Sequence, residues 1–104
     1  MVTQNAAIEE VKEFAKQVKA LGVHLRRVIL YGSYARNEQR QWSDIDVALV
    51  ADEFVGAGFI DLDLYGKALL KHVDIQPKTY PTGYFNEGDP FIDEIKRTGI
   101  EIQV

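Results

Sequence analysis

An α/β or α+β domain packed in two or three layers is the architecture these 104 residues predict. Three observations predict it. Apolar residues recur at helical steps up to Leu21, short β-branched apolar runs end at Gly, Asp or Pro, and the two patterns then alternate to the C-terminus. The length suits one domain, residues 1–104.

The first element is a helix. Ile8, Val11, Ala15, Val18 and Leu21 recur at steps of three and four, with Phe14 broadening the stripe and Glu9, Glu10, Lys12, Glu13, Lys16 and Lys19 on the other side. Asn5 is the expected N-cap and Gly22 the stop. Val28-Ile29-Leu30-Tyr31, ending at Gly32, reads as a strand buried on both faces, and Ser33 to about Gln39 as a short helix capped by Ser33. Asp46–Val50 is the second strand, and Gly56 and Gly58 mark a loop. Phe59–Leu70 reads as a helix burying Ile60, Leu64 and Ala68, with Leu62 and Leu69 beside them. Val73–Thr79 is a third strand, whose later part Pro77 places at an edge or past the ladder, and Pro81-Thr82-Gly83 is a turn. Asp89-Pro90 has the form of an N-cap followed by proline at the first helical position, with Phe91, Ile92 and Ile95 as the buried face. That helix stops near Thr98-Gly99, and Ile100–Val104 closes as a last strand.

Composition narrows the function. Apolar residues make up 46% and charged residues 27%, as in an ordinary globular protein. A net charge of −4 argues against direct nucleic-acid binding, which depends on Lys and Arg neutralising phosphates. The absence of cysteine excludes disulfides and thiolate metal sites and fits a reducing cytoplasm. The N-terminal residues run into a charged helical pattern rather than an apolar signal segment. The apolar run Val47–Ala51 is too short to span a bilayer, so no membrane association is expected. His24 and His72 lie far apart without a third ligand at metal spacing, against a histidine zinc site.

The chemistry concentrates in Ser43-Asp44-Ile45-Asp46. Residues two apart on a strand share a face, so Asp44 and Asp46 converge and repel unless a cation compensates. Mg²⁺ takes one or two carboxylates and completes its shell with water and substrate phosphates. A solvated strand entry with an Asx turn is the alternative for an isolated Asp-x-Asp. Upstream, Gly32-Ser33 follows a strand and opens the expected helix, where free N–H groups favour phosphate. Asp74, between Val73 and Ile75, supplies a third carboxylate on a neighbouring strand, the donor pattern of two-metal phosphoryl chemistry.

Gly32-Ser33-Tyr34-Ala35-Arg36 followed by Ser43-Asp44-Ile45-Asp46-Val47 resembles the signature of the DNA polymerase β-like nucleotidyltransferases. The compact length and the ending Ile95-Lys96-Arg97-Thr98-Gly99-Ile100-Glu101-Ile102 resemble the minimal (MNT) branch of that superfamily. The resemblance implies a small mixed sheet flanked by helices, with ATP as substrate and Mg²⁺, two ions, at one sheet end. It implies that Gly32 and Ser33 hold the β- and γ-phosphates, with Arg36 and Ser43 at the nucleotide. It also implies that Asp44, Asp46 and Asp74 are catalytic and ligate metal, Asp74 helping to deprotonate the acceptor hydroxyl. Many relatives carry Gly where Asn37 stands. Asn is the residue that best replaces glycine in a left-handed turn, so the loop is expected to keep its course.

The same resemblance implies an antitoxin of a HEPN/MNT toxin–antitoxin module, a protein adenylyltransferase that modifies a tyrosine of its HEPN partner within a hetero-oligomer. Three rival readings stay open: an antitoxin that neutralises its partner by binding alone, transfer to a small molecule, and a stand-alone phosphate-binding module in which Asp74 would be idle. Tyr65, Tyr84, Phe85 and Phe91 are aromatic candidates for a contact surface, with core or ordinary surface roles as the alternative. Trp42 is expected to pack the loop before Ser43, with stacking on an adenine or a partner as the alternative, and Arg40, Lys71 and Lys78 are candidate cations near the triphosphate, with solvent-facing roles as the alternative.

Overall fold

The computed structural model describes residues 2–104. Helix α1 (Gln4–Ala20) is capped by Thr3, whose hydroxyl oxygen accepts the Ala6 N–H at 3.1 Å. The cap therefore lies two residues before the expected Asn5, which sits inside the first turn. Ala7, Val11, Phe14, Ala15 and Val18 form its buried stripe. Strand β1 (Leu25–Tyr31) follows, then β2 (Ile45–Ala51), helix α2 (Gly58–Leu69), strand β3 (Ile75–Pro81), helices α3 (Thr82–Glu87) and α4 (Pro90–Thr98), and strand β4 (Ile100–Ile102).

The strands form one mixed sheet in the order β3-β2-β1-β4. β1 runs antiparallel to β2 and β4, and β2 runs parallel to β3 through the α2 crossover. Each face is covered. Val28, Leu30, Val47, Leu49 and Ile75 pack with Phe14 and Val18 of α1 and Tyr65 and Ala68 of α2. Ile29, Ala48, Val50 and Tyr80 pack with Phe85 of α3 and Ile92 and Ile95 of α4. Burial of each large apolar side chain contributes roughly 1.5–3 kcal/mol, so the two clusters hold the sheet from both sides.

Pro77 lies on β3, an outer strand, where a missing donor is tolerated. Asp89 caps α4 by accepting the Ile92 N–H at 2.7 Å, with Pro90 at the first helical position. Three expectations are corrected. Residues 32–37 form successive turns rather than a helix. Pro81-Thr82-Gly83 is not a free turn: Pro81 is the N-cap and Thr82 the first residue of α3.

The third correction concerns α2. Its inner face is Asp61, Tyr65 and Ala68, whereas Ile60 and Leu62 are exposed and Phe59 is 84% exposed. The helix is turned by about one residue because Asp61, only 1% exposed, accepts the N–H groups of Val55 and Gly56 (both 3.0 Å) and the Thr79 hydroxyl (2.6 Å). A buried carboxylate holding three donors costs more to turn outward than an exposed isoleucine costs to leave in water.

The register decides which residues meet. Antiparallel pairing sets Tyr31, the last residue of β1, opposite Asp46 near the start of β2. Parallel pairing sets Ile45 beside Ile75, and the Ile45 N–H donates to the Asp74 carbonyl at 2.9 Å. The residues just before β2 and β3 thus adjoin one another and the loop that leaves β1.

Candidate active site

Gly32 leaves β1 with φ +75°, a backbone that L side chains adopt only under strain. A Cβ at this position would collide with the Asp46 carboxylate, so glycine is what lets the loop and the acid approach. The chain then tightens: Arg36 N–H donates to the Gly32 carbonyl (3.2 Å), Asn37 N–H to the Tyr34 carbonyl (3.2 Å) and Glu38 N–H to the Ser33 carbonyl (2.8 Å). Asn37 takes φ +56°, the left-handed turn expected of an asparagine there. Tyr34 is buried and anchors the loop, and the Gln4 amide of α1 donates to its carbonyl at 2.9 Å and to that of Ala35 at 3.2 Å. The backbone N–H groups of Ser33, Tyr34 and Ala35 find no backbone acceptor among the described residues. They remain as anion donors, although the helix that was expected to orient them is absent.

A cavity of about 370 Å³ opens at this corner, walled by Tyr31, Gly32, Arg36, Asp46, Phe91 and Thr98 among others. Burial pushes the Asp46 carboxyl above its ordinary range, the neighbouring Asp44 charge adds to that, and Arg36 partly opposes it. Arg36 also donates to Glu38 at 2.8 Å. Tyr31 is pushed up to about 12 by burial and by the charge of Asp46, so its phenol stays protonated at neutral pH.

The remaining predicted residues fall as follows. Asp44 is exposed just before β2, coupled to Asp46 through space. Asp74 is exposed just before β3, joined to Ile45 by its carbonyl, and its charge reaches the Tyr34 phenol, whose pKa is raised chiefly by burial and then by Asp74. The three carboxylates adjoin through the sheet register, but their side chains are not gathered. Among the described residues, no group of three His, Cys, Asp or Glu side chains stands ready to hold a metal ion. Ser43 accepts the Arg40 N–H at 2.8 Å while its own N–H donates to the Arg40 carbonyl at 3.0 Å, closing the turn that delivers Asp44. Trp42, expected to pack that loop, is 87% exposed. Neither Arg40 nor Lys71 lines the cavity.

Two wall residues escaped the sequence reading. Phe91 was assigned to the buried face of α4, yet it is half exposed and meets Tyr31 edge-to-face, ring centroids 5.8 Å apart at 90°. Tyr31 was read only as a strand residue. Its place directly before Gly32, at the end of a strand, was the available signal. Of the other aromatic candidates, Tyr65 and Phe85 are buried and Tyr84 is exposed. His72 is buried against Glu10 and Gln17, and His24 pairs with Glu53, so the two histidines share no site.

The carboxylates open to a divalent cation are those of Asp46 and of Asp44, coupled to it through space, hard ligands suited to Mg²⁺. Gly32 brings the loop that carries the Ser33, Tyr34 and Ala35 N–H groups against the Asp46 carboxylate, so anion donors and a hard oxygen ligand stand side by side, as a metal–triphosphate requires.

Comparison with known proteins accords with this geometry. The family model described as "Nucleotidyltransferase domain" matches residues 11–102. The chain is 33% identical over 99 residues to "Putative protein adenylyltransferase MJ0141" of Methanocaldococcus jannaschii, covering 91% of this chain and 97% of that protein. It is 38% identical over 63 residues to "Putative protein adenylyltransferase MJ0604" of the same organism, covering 60% of each. Among solved structures, "Crystal structure of the toxin-antitoxin with AMP-PNP" superposes with a TM-score of 0.61 at 18% identity, over 88% of this chain and 72% of that one, a likeness of fold.

Proposed function

The chain belongs to the nucleotidyltransferase domain family, and from that premise we propose that it moves AMP from ATP to a tyrosine hydroxyl of a HEPN-domain toxin, serving as the antitoxin. On this reading residues 1–104 are one minimal nucleotidyltransferase domain. The observation that carries it is the meeting of Asp46 with Gly32, which sets a metal-type carboxylate against a loop whose N–H groups have no backbone acceptor among the described residues. The name of the relative with 97% coverage, a protein adenylyltransferase, supports AMP and a protein acceptor. The toxin–antitoxin neighbour with AMP-PNP supports an adenine nucleotide and a toxin partner. The HEPN identity of that partner rests on the motif resemblance.

In the proposed step the acceptor oxygen bonds to the α-phosphorus, the bond from that phosphorus to the bridging oxygen breaks, and pyrophosphate leaves with the electron pair. The N–H groups after Gly32, the Ser33 hydroxyl and Arg36 hold the β- and γ-phosphates. Asp44 and Asp46 would hold the cation, and Asp74 would hold a second and take the proton of the acceptor hydroxyl. Bound Mg²⁺ neutralises phosphate charge and lowers the pKa of the attacking hydroxyl.

The test is to incubate the chain with ATP, Mg²⁺ and the protein encoded by the neighbouring gene, then weigh that protein by mass spectrometry. A gain of one or more AMP masses is expected with wild type and none with Asp44→Ala. An unmodified partner would overturn the reading. The exposed apolar residues of α2, Phe59, Ile60 and Leu62, favour a second reading in which the chain neutralises its partner by covering it. That reading expects Asp44→Asn to neutralise as well as wild type.

A further inference from the structure

The sheet face that carries Asp46 continues beyond it. β3 sets Lys78 beside Ala48 and Tyr80 beside Val50, two and four residues past Asp46 along β2 and on the same face. There a second cavity, of about 360 Å³, opens over β3 between α3 and α4, with Lys78, Tyr80, Tyr84, Asp89 and Phe91 in its wall. Phe91 belongs to both cavities, so the two are neighbours across one ring. The transfer step described above uses none of the second cavity.

Its lining has the chemistry of a site for a flat, hydrogen-bonding ring. Tyr80 and Tyr84 lie parallel, 4° between planes and 6.5 Å between centroids. With Phe91 they give an aromatic surface of the kind on which nucleobases stack. The Lys78 ammonium stands 4.7 Å from the Phe91 centroid and makes no ion pair among the described residues. Tyr80 is 5% exposed, yet its hydroxyl has no hydrogen-bond partner among the described residues. A buried donor left unpaired is rare in a native fold and points to an absent acceptor. Asp89 is already engaged, accepting from the Tyr84 hydroxyl at 2.6 Å and the Ile92 N–H at 2.7 Å, which holds that rim in place.

We propose that this cavity is the nucleobase subsite for the nucleotide whose phosphates lie at Gly32 and Ser33, an inference that rests on the proposed function. The base stacks on the aromatic wall, and Lys78 and Tyr80 donate to its ring nitrogens. Phe91 is the partition between the base and the reacting phosphate.

The test compares two probes, a non-hydrolysable ATP analogue and inorganic tripolyphosphate, each with Mg²⁺, by calorimetry on wild type, Lys78→Met and Tyr80→Phe. Each variant is expected to bind the analogue about tenfold more weakly, one hydrogen bond's worth, and to bind tripolyphosphate as wild type does. Tyr80→Phe is expected to melt no lower than wild type, because the hydroxyl it loses has no partner among the described residues. Unchanged affinity for the analogue in both variants overturns the proposal. So does an equal loss for both probes, which makes Lys78 a phosphate contact. Unchanged affinity with slower modification of the partner assigns the cavity to the acceptor and also overturns it. Wild type that binds neither probe removes the nucleotidyltransferase reading itself, a result distinct from the others.

Discussion

Gly32 is where a single hydrogen in place of a methyl group governs the candidate site. Its positive φ turns the chain across the mouth of β2, and the absent Cβ leaves the Asp46 carboxylate its space. Gly32→Ala is therefore expected to cost about 1–2 kcal/mol in urea unfolding from the backbone alone. It should also abolish calorimetric binding of the ATP analogue, because the Cβ displaces the carboxylate. Alanine that binds normally would show the approach to be incidental. This residue and its neighbours were legible along the chain because the pattern they form is local. Gly32, Ser33, Asp44 and Asp46 lie within one short stretch, and Asn37 takes the left-handed turn its side chain tolerates. Trp42 was not legible, since its exposure depends on what the rest of the molecule leaves uncovered.

At the scale of elements, α2 and α4 differ in how they were readable. Asp89-Pro90 announces α4 by local capping chemistry, and the helix forms there. The Tyr84 hydroxyl, together with the Ile92 N–H, holds the Asp89 carboxyl below the usual carboxylate range. A depressed native pKa means that the contribution is complete above the unfolded value of about 3.9 and is lost as pH falls through the lower native one. Asp89→Ala is thus expected to melt below wild type at pH 7, with the gap closing as pH falls below about 4. A gap independent of pH would remove the ionised cap from the account. α2 followed no such local rule. Its apolar stripe pointed Ile60 inward, but Asp61 takes that place because its three donors come from the preceding loop and from β3. Asp61→Ala strands those donors in the core and is expected to cost about 3 kcal/mol or more in urea unfolding. A loss under about 1 kcal/mol would mean that water replaces the carboxylate.

Over the whole molecule, the site lies where three chain segments converge on one end of a mixed sheet. A ligand held by that convergence binds the folded chain only. Mg²⁺ with a non-hydrolysable ATP analogue at a hundred times its dissociation constant is expected to add about 2.7 kcal/mol. For a domain of this size that raises the melting midpoint by roughly 10–20 °C. Asp44→Ala should show little of this rise, and a variant that follows wild type throughout would separate the aspartates from the ligand. No helix among the described residues is long and apolar enough to cross a membrane.

Alternation of helical and strand patterns, the capping signals and the Gly-Ser and Asp-x-Asp motifs were present in the linear order of residues, because each depends on neighbours a few positions away. Three things required the folded chain. The register brings Asp74 next to Ile45, the rotation of α2 buries Asp61, and the aromatic wall joins Tyr31 of β1, Tyr80 of β3 and Phe91 of α4. Each is a contact between segments distant in sequence. Packing and the pairing of buried donors choose such contacts together, and no local propensity encodes that choice.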